Sequence, residues 1–237
     1  MDMKERLIVA LDVSDFKTAK EKVETLGDVV KFYKVGVQLF TSVGPDIVKY
    51  LKDKDKKVFL DLKLHDIPNV VSKTVGIAAM MGVNMITLHT LGGFELMESS
   101  QKMSWAPNGE QVIILGVTIL TSLDQAFLND FLGVNKSIDD EIIQLAMLAK
   151  SAGIAGVISS PLEISKIKSA CGGDFLVVTP GIRPKGFDTM DHTRTATPEE
   201  AIRWGADYIV VGRPIISSDD PRGAAIKIIE EMENGLS

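Results

Sequence analysis

What this chain of 237 residues has little of narrows the field first. It holds one cysteine, Cys171. That excludes a disulfide framework or a cluster of cysteine ligands and suits a reducing compartment. Its three histidines, His65, His89 and His192, are scattered along the chain, which gives a three-histidine metal site no support. Positive charge is in deficit: 26 Lys and Arg stand against 32 Asp and Glu, with a net charge of -6 and a pI of about 5.2. That balance disfavours nucleic acid and anionic membranes as partners. It leaves room for a small anionic ligand in a locally basic pocket. Long apolar runs are missing too. VIILGVTIL at 112–120 falls far short of the ~20 residues a membrane span needs, and the run from Leu7 to Leu11 is too short for a signal peptide. The chain reads as cytoplasmic. Familiar catalytic motifs are also absent. There is no G-x-G-x-x-G after a strand, no H-E-x-x-H and no G-x-S-x-G. Gly181 and Gly186 have P-loop spacing, but Phe187 follows where a lysine is required.

What is present is a rhythm. Eight short, β-branched apolar runs alternate with longer amphipathic stretches: RLIVALD (6–12), FYKVGV (32–37), KVFLDLK (57–63), VNMITLH (83–89), VIILGVT (112–118), IAGVISS (153–159), FLVVTPG (175–181) and YIVVGR (208–213). Near-continuous apolar character suits strands covered on both faces, as in a parallel sheet. EIIQLAMLAKSAG (141–153) and EEAIRWGA (199–206) have the helical period, the latter after the start signals Thr197 and Pro198. Gly27, Gly82, Gly153 and Gly205 fit helix C-terminal positions. Eight βα units in a chain of this length predict a (β/α)8 TIM barrel, which typically takes ~250 residues. A doubly wound open sheet is the structural competitor. With no composition break to mark a linker, residues 1–237 are expected to form a single domain.

The barrel supplies its own test, because active sites in barrels form where the strands end. Asp12 ends the first run, and Lys34 lies in the second. Asp61 and Lys63 end the third, with Asp66 just beyond, and His89 ends the fourth. Thr118, Thr121 and Ser122 follow the fifth, and Ser159 and Ser160 end the sixth. Pro180, Gly181 and Arg183 follow the seventh, Gly212 and Arg213 the eighth. Two apart on a strand, Asp61 and Lys63 are expected to face one side. With Lys34 and Asp66 they make an alternating set of two cations and two anions, able to stay ionised together in a partly dry site. Each has an ordinary alternative: Asp66 is a natural N-cap for a helix starting at Ile67-Pro68, Asp12 a strand end, and Lys34 a snorkelling side chain. VTPGIRPKG (178–186) and VVGRP (210–214) are glycine-containing turns after strands seven and eight, where barrels often hold a phosphate. Arg183 and Arg213 would supply its charge-assisted contacts. The polar stretch 181–196 reads as a mobile lid on that face.

DLKLHDIPN, with Lys34 before it and TPGIRP and VVGRPI after it, closely resembles the orotidine 5′-phosphate decarboxylase family, over essentially the whole chain. The resemblance implies a (β/α)8 barrel that forms a homodimer, with no metal or organic cofactor. It implies decarboxylation of orotidine 5′-phosphate to UMP, the last step of pyrimidine nucleotide synthesis. By position, Lys34, Asp61, Lys63 and Asp66 resemble the charged catalytic set, Asp66 reaching into the partner subunit's site. Asp12 resembles the ribose ligand, Ile67, Thr121 and His192 the residues around the nucleotide, and Pro180, Arg183, Gly212 and Arg213 the phosphate end. Two positions depart from the family's usual pattern. Val70 stands where a threonine commonly follows DIPN, and His192 where the lid commonly carries glutamine. Neither touches the charged set. The rival readings are a Mg-dependent keto-sugar-phosphate decarboxylase or aldolase of the same suprafamily, expected to carry a carboxylate at position 34, and a non-catalytic nucleotide-binding barrel.

Overall fold

The computed structural model describes residues 2–120, 122–185 and 195–236. Eight strands form a closed parallel barrel in chain order: β1 (Leu7–Ala10), β2 (Phe32–Gly36), β3 (Lys57–Leu64), β4 (Met85–His89), β5 (Ile113–Val117), β6 (Gly156–Ile158), β7 (Leu176–Thr179) and β8 (Tyr208–Val211). β8 pairs with β1 and closes the ring, so no sheet edge is left open. A helix follows each strand on the outside: α1 (Phe16–Leu26), α2 (Asp46–Asp53), α3 (Pro68–Met80), α4 (Gly93–Lys102), α5 (Ile138–Ser151), α6 (Ile164–Cys171), α7 (Pro198–Arg203) and α8 (Pro221–Asn234). The expected (β/α)8 barrel is the observed one.

The strands are apolar throughout because each serves two cores. Leu7, Val9 and Leu11 point outward into the layer shared with the helices. Ile8 and Ala10 point inward, where they meet Phe32, Phe59, Met85, Leu115, Val178, Tyr208 and Val210. This inner cluster fills the barrel and makes a floor. The alternation that builds it carries upward: above Phe32 on β2 comes Lys34, above Phe59 on β3 comes Asp61, and above Met85 on β4 come Thr87 and His89. One inward-facing period thus changes from apolar to polar at the C-terminal end of adjacent strands.

The helix signals work as the sequence suggests. Thr197 caps α7 in a capping box with Glu200, and Pro198 occupies the first turn. Gly27, Gly82, Gly153 and Gly205 all have positive φ where helices end, the conformation that favours glycine. The start of α3 differs. Its N-cap is Ile67, with no side-chain cap, while Asp66 accepts a hydrogen bond from the Ile67 amide at 2.7 Å. The helix starts one residue beyond the point at which Asp66 could cap it.

Candidate active site

The barrel mouth opens on a cavity of about 320 Å3, lined at one side by Asp12, Lys34, Asp61 and Lys63 and at the other by Pro180, Gly181, Arg183, Gly212 and Arg213. Nine residues singled out from the sequence meet there: Asp12, Lys34, Asp61, Lys63, Pro180, Gly181, Arg183, Gly212 and Arg213. Asp66 and Ile67 do not line it. Both are exposed in the loop before α3, with Ile67 63% accessible. Thr121 and His192 lie outside the described residues.

Asp61 is the hub of the charged set. Its Oδ2 accepts from the Lys63 ammonium at 2.7 Å and lies 3.6 Å from that of Lys34. Lys34 Nζ also donates to Asp12 Oδ1 at 3.0 Å. The side chains grade from dry to wet: Asp61 is 10% exposed, Lys34 13%, Lys63 36% and Asp12 59%. Burial pushes the Asp61 carboxyl up. The Lys34 and Lys63 ammoniums, with hydrogen bonds from Lys63 and Thr87, outweigh it and hold the group below the ordinary aspartate value. Asp61 therefore stays a carboxylate at neutral pH despite its burial. Gly36 leaves room for the set: a Cβ at that position would sit 3.1 Å from Lys34 Nζ.

Simple alternation does not explain Lys63. β3 pairs with β4 at Leu60–Ile86 and again at Leu64–Leu88, so three residues of β3 face one of β4. This is a bulge, and within it Lys63 adopts φ +51°, in the left-handed region that a side chain disfavours. The bulge re-aims the lysine, and its ammonium folds back onto Asp61. At the centre of the irregularity is Thr87, fully buried, which the sequence reading passed over. Its place two residues above Met85 on the inward face of β4 was the available signal.

Next to it, the His89 ring lies 5.3 Å from that of His65. Burial, then the charges of His65 and Lys63, push His89 below the usual histidine range, so the ring is neutral at pH 7. On the far side of the cavity, Gly181 turns the chain with φ +79° after β7. The Arg183 backbone pairs with Ala196, and its guanidinium donates to Ile182 O at 2.9 Å. Two arginines from adjacent βα turns thus face a cluster of lysines and aspartates across one cavity. That arrangement can hold an anionic group at one end and a proton donor at the other.

The family model described as orotidine 5′-phosphate decarboxylase / HUMPS matches residues 5–228. The chain belongs to that family. Among the family's members, a protein of Syntrophotalea carbinolica named orotidine 5′-phosphate decarboxylase is 46% identical to it over 240 residues, covering 100% of this chain and 98% of the relative. One of Geobacter metallireducens with the same name is 45% identical, covering 98% of each. The crystal structure of orotidine 5′-phosphate decarboxylase from Lactobacillus acidophilus superimposes with a TM-score of 0.86 at 38% identity, covering 95% of this chain and 98% of that one. Among the described residues, no group of three or more His, Cys, Asp or Glu side chains is placed to hold a metal ion. Nor is any helix there long and apolar enough to cross a membrane.

Proposed function

We infer that this chain decarboxylates orotidine 5′-phosphate to UMP and CO2, the last step of pyrimidine nucleotide synthesis. The observation that carries the reading is the Lys34–Asp61–Lys63 cluster sharing a cavity with Arg183 and Arg213, in a chain whose relatives are named for this reaction. Cleavage of the bond between C6 and the carboxylate releases CO2 and leaves the electron pair on C6. The pyrimidine ring offers no ready sink for that charge, so the protein must stabilise it. We assign this to the Lys63 ammonium, which also gives C6 the proton that completes UMP. Asp61 holds that ammonium in place at 2.7 Å. Lys34, tied to both Asp12 and Asp61, places the ribose-facing carboxylate of Asp12. Arg183, Arg213, Pro180 and Gly212 take the phosphate, with His192 and Thr121 assigned to the nucleotide. Phosphate binding, remote from C6, can serve turnover as well as affinity. We assign the reaction no metal: a lysine stands at position 34, where a Mg-using relative is expected to carry a carboxylate.

We propose further that residues 1–237 form one domain, that the protein is cytoplasmic, and that two copies pair through the face around α3 and α4. Ile67, Val70, Ile77, Met80 and Phe94 are exposed there, and such an apolar face favours burial against a partner. Asp66 and Ile67 stand at its edge. Pairing lets each copy deliver them to the other's cavity, which accounts for their absence from the lining of the single chain.

The test is the ultraviolet absorbance of orotidine 5′-phosphate mixed with purified protein and EDTA. Conversion to UMP is expected, whereas no conversion by folded protein overturns the reading and loss with EDTA favours the metal-using rival. For the shared site, Asp66→Ala and Lys63→Ala proteins, each inactive alone, should regain activity when mixed. No recovery after verified subunit exchange counts against it.

A further inference from the structure

We propose that Thr87 is a positioning residue for the proton donor: its hydroxyl ties the backbone of Lys63 to the carboxylate that aims the Lys63 ammonium. The proposal rests on the decarboxylase reading of Lys63 and Asp61.

Three observations carry it. The Lys63 amide donates to Thr87 Oγ1 at 2.8 Å, and Thr87 Oγ1 is 3.0 Å from Asp61 Oδ1. A hydroxyl has one proton and can also accept, so the pair is complementary: it accepts from Lys63 and donates to Asp61. Second, Thr87 is the single β4 residue facing the three-residue bulge of β3. There the ladder breaks, and the hydroxyl provides the acceptor for the Lys63 amide. Third, Thr87 is wholly buried, so water cannot take over either bond.

The consequence is a closed loop of contacts. Asp61 Oδ1 is held by Thr87 and Oδ2 by Lys63, so the carboxylate plane cannot turn. The backbone from which the Lys63 side chain springs is held by the same hydroxyl, in a conformation (φ +51°) that a non-glycine residue leaves when released. Removing the hydroxyl frees both ends of the loop together. The arginine end of the cavity is untouched, since its residues come from the β7 and β8 turns.

The experiment compares Thr87→Val and Thr87→Ser with wild type. Valine keeps the shape and loses the hydroxyl, while serine keeps the hydroxyl. Thr87→Val should lower kcat by about 10–100-fold, the usual range for a hydrogen bond to a charged group. KM and UMP affinity should change little, and Thr87→Ser should recover most of kcat. A merely structural role predicts kcat and UMP affinity falling together, or serine behaving as valine, and either result overturns the proposal. So does a Thr87→Val protein with wild-type kcat. Hydrogen exchange of the Lys63 amide in wild-type protein reads the contact without turnover or a variant. Protection is expected, and exchange at the rate of an open loop overturns the proposal. Wild-type protein that leaves orotidine 5′-phosphate unchanged refutes the decarboxylase reading instead, while the amide measurement still decides the contact.

Discussion

Two lysines at opposite ends of the barrel show how the same side chain can be used differently. Lys168, at the base, donates to Gly173 O at 2.8 Å, Phe175 O at 2.9 Å and Asp207 Oδ2 at 2.7 Å. An ammonium has three protons, and Lys168 uses them all on its own fold. Asp207 is also bound by the Val177 amide at 2.7 Å, which closes the gap between the starts of β7 and β8. Lys63, at the mouth, has one hydrogen-bond acceptor among the described residues, Asp61. Its remaining protons face a cavity. A saturated cation locks strands together, whereas an unsaturated one beside a cavity is available for a ligand. Both ends are charged, so charge alone does not distinguish them; the count of acceptors does.

The contrast breaks if the two lysines exchange roles on substitution. Lys63→Ala should lower kcat by at least ~1,000-fold, within the scale of lost proton transfer and charge stabilisation, with UMP still bound. Lys168→Met should leave kcat of the folded protein near wild type. It should lose about 1–3 kcal/mol of stability, because two carbonyls and a carboxylate lose a donor. Steady-state kinetics and denaturant titration on both variants decide the matter. Lys63→Ala retaining a substantial fraction of kcat would sink the proton-donor role.

Acid titration sharpens the comparison. The Asp61 carboxyl lies below its unfolded value, so its contribution to stability is fully present above about pH 4, the ordinary aspartate range, and fades as pH falls through the depressed folded value. The stability difference between wild type and Asp61→Asn should therefore be flat from pH 8 to about 5 and shrink only in stronger acid. A difference that already shrinks near pH 6 or 7 means that burial dominates and the hub is partly protonated. The smallest expected effect lies at the proposed partner face. If the proposed shared site holds, Val70→Thr should lower KM by about 2–10-fold, the worth of one added hydrogen bond, with kcat unchanged.

Much of this arrangement was legible before the structure. The eight strands announced themselves because each is buried on both sides, which leaves an unbroken apolar run. Alternation was expected to put Asp61 and Lys63 on one side with Lys34 on the neighbouring strand; in the structure it accounts for Lys34 and Asp61, which stand one inward period above Phe32 and Phe59. Lys63 lies beyond that argument. Strand register depends on the neighbouring strand, and nothing local in KVFLDLKL marks where three residues will face one. Thr87 escaped for a related reason. Threonine is common in strands for its β-branch alone, and its hydroxyl gains meaning only when the bulge brings an amide and a carboxylate to it. Asp66 was placed in the right loop, but the start of α3 depends on backbone geometry at Ile67 that the side chains alone do not fix.

The left-handed backbone at Lys63 has a consequence for anyone altering this protein. Glycine adopts that conformation without penalty, whereas a residue with a Cβ is strained there by about 1–2 kcal/mol. Position 63 is thus a place where backbone ease and usefulness select opposite residues. Glycine there would relieve the backbone, but it would discard the proposed proton donor together with its ion pair to Asp61.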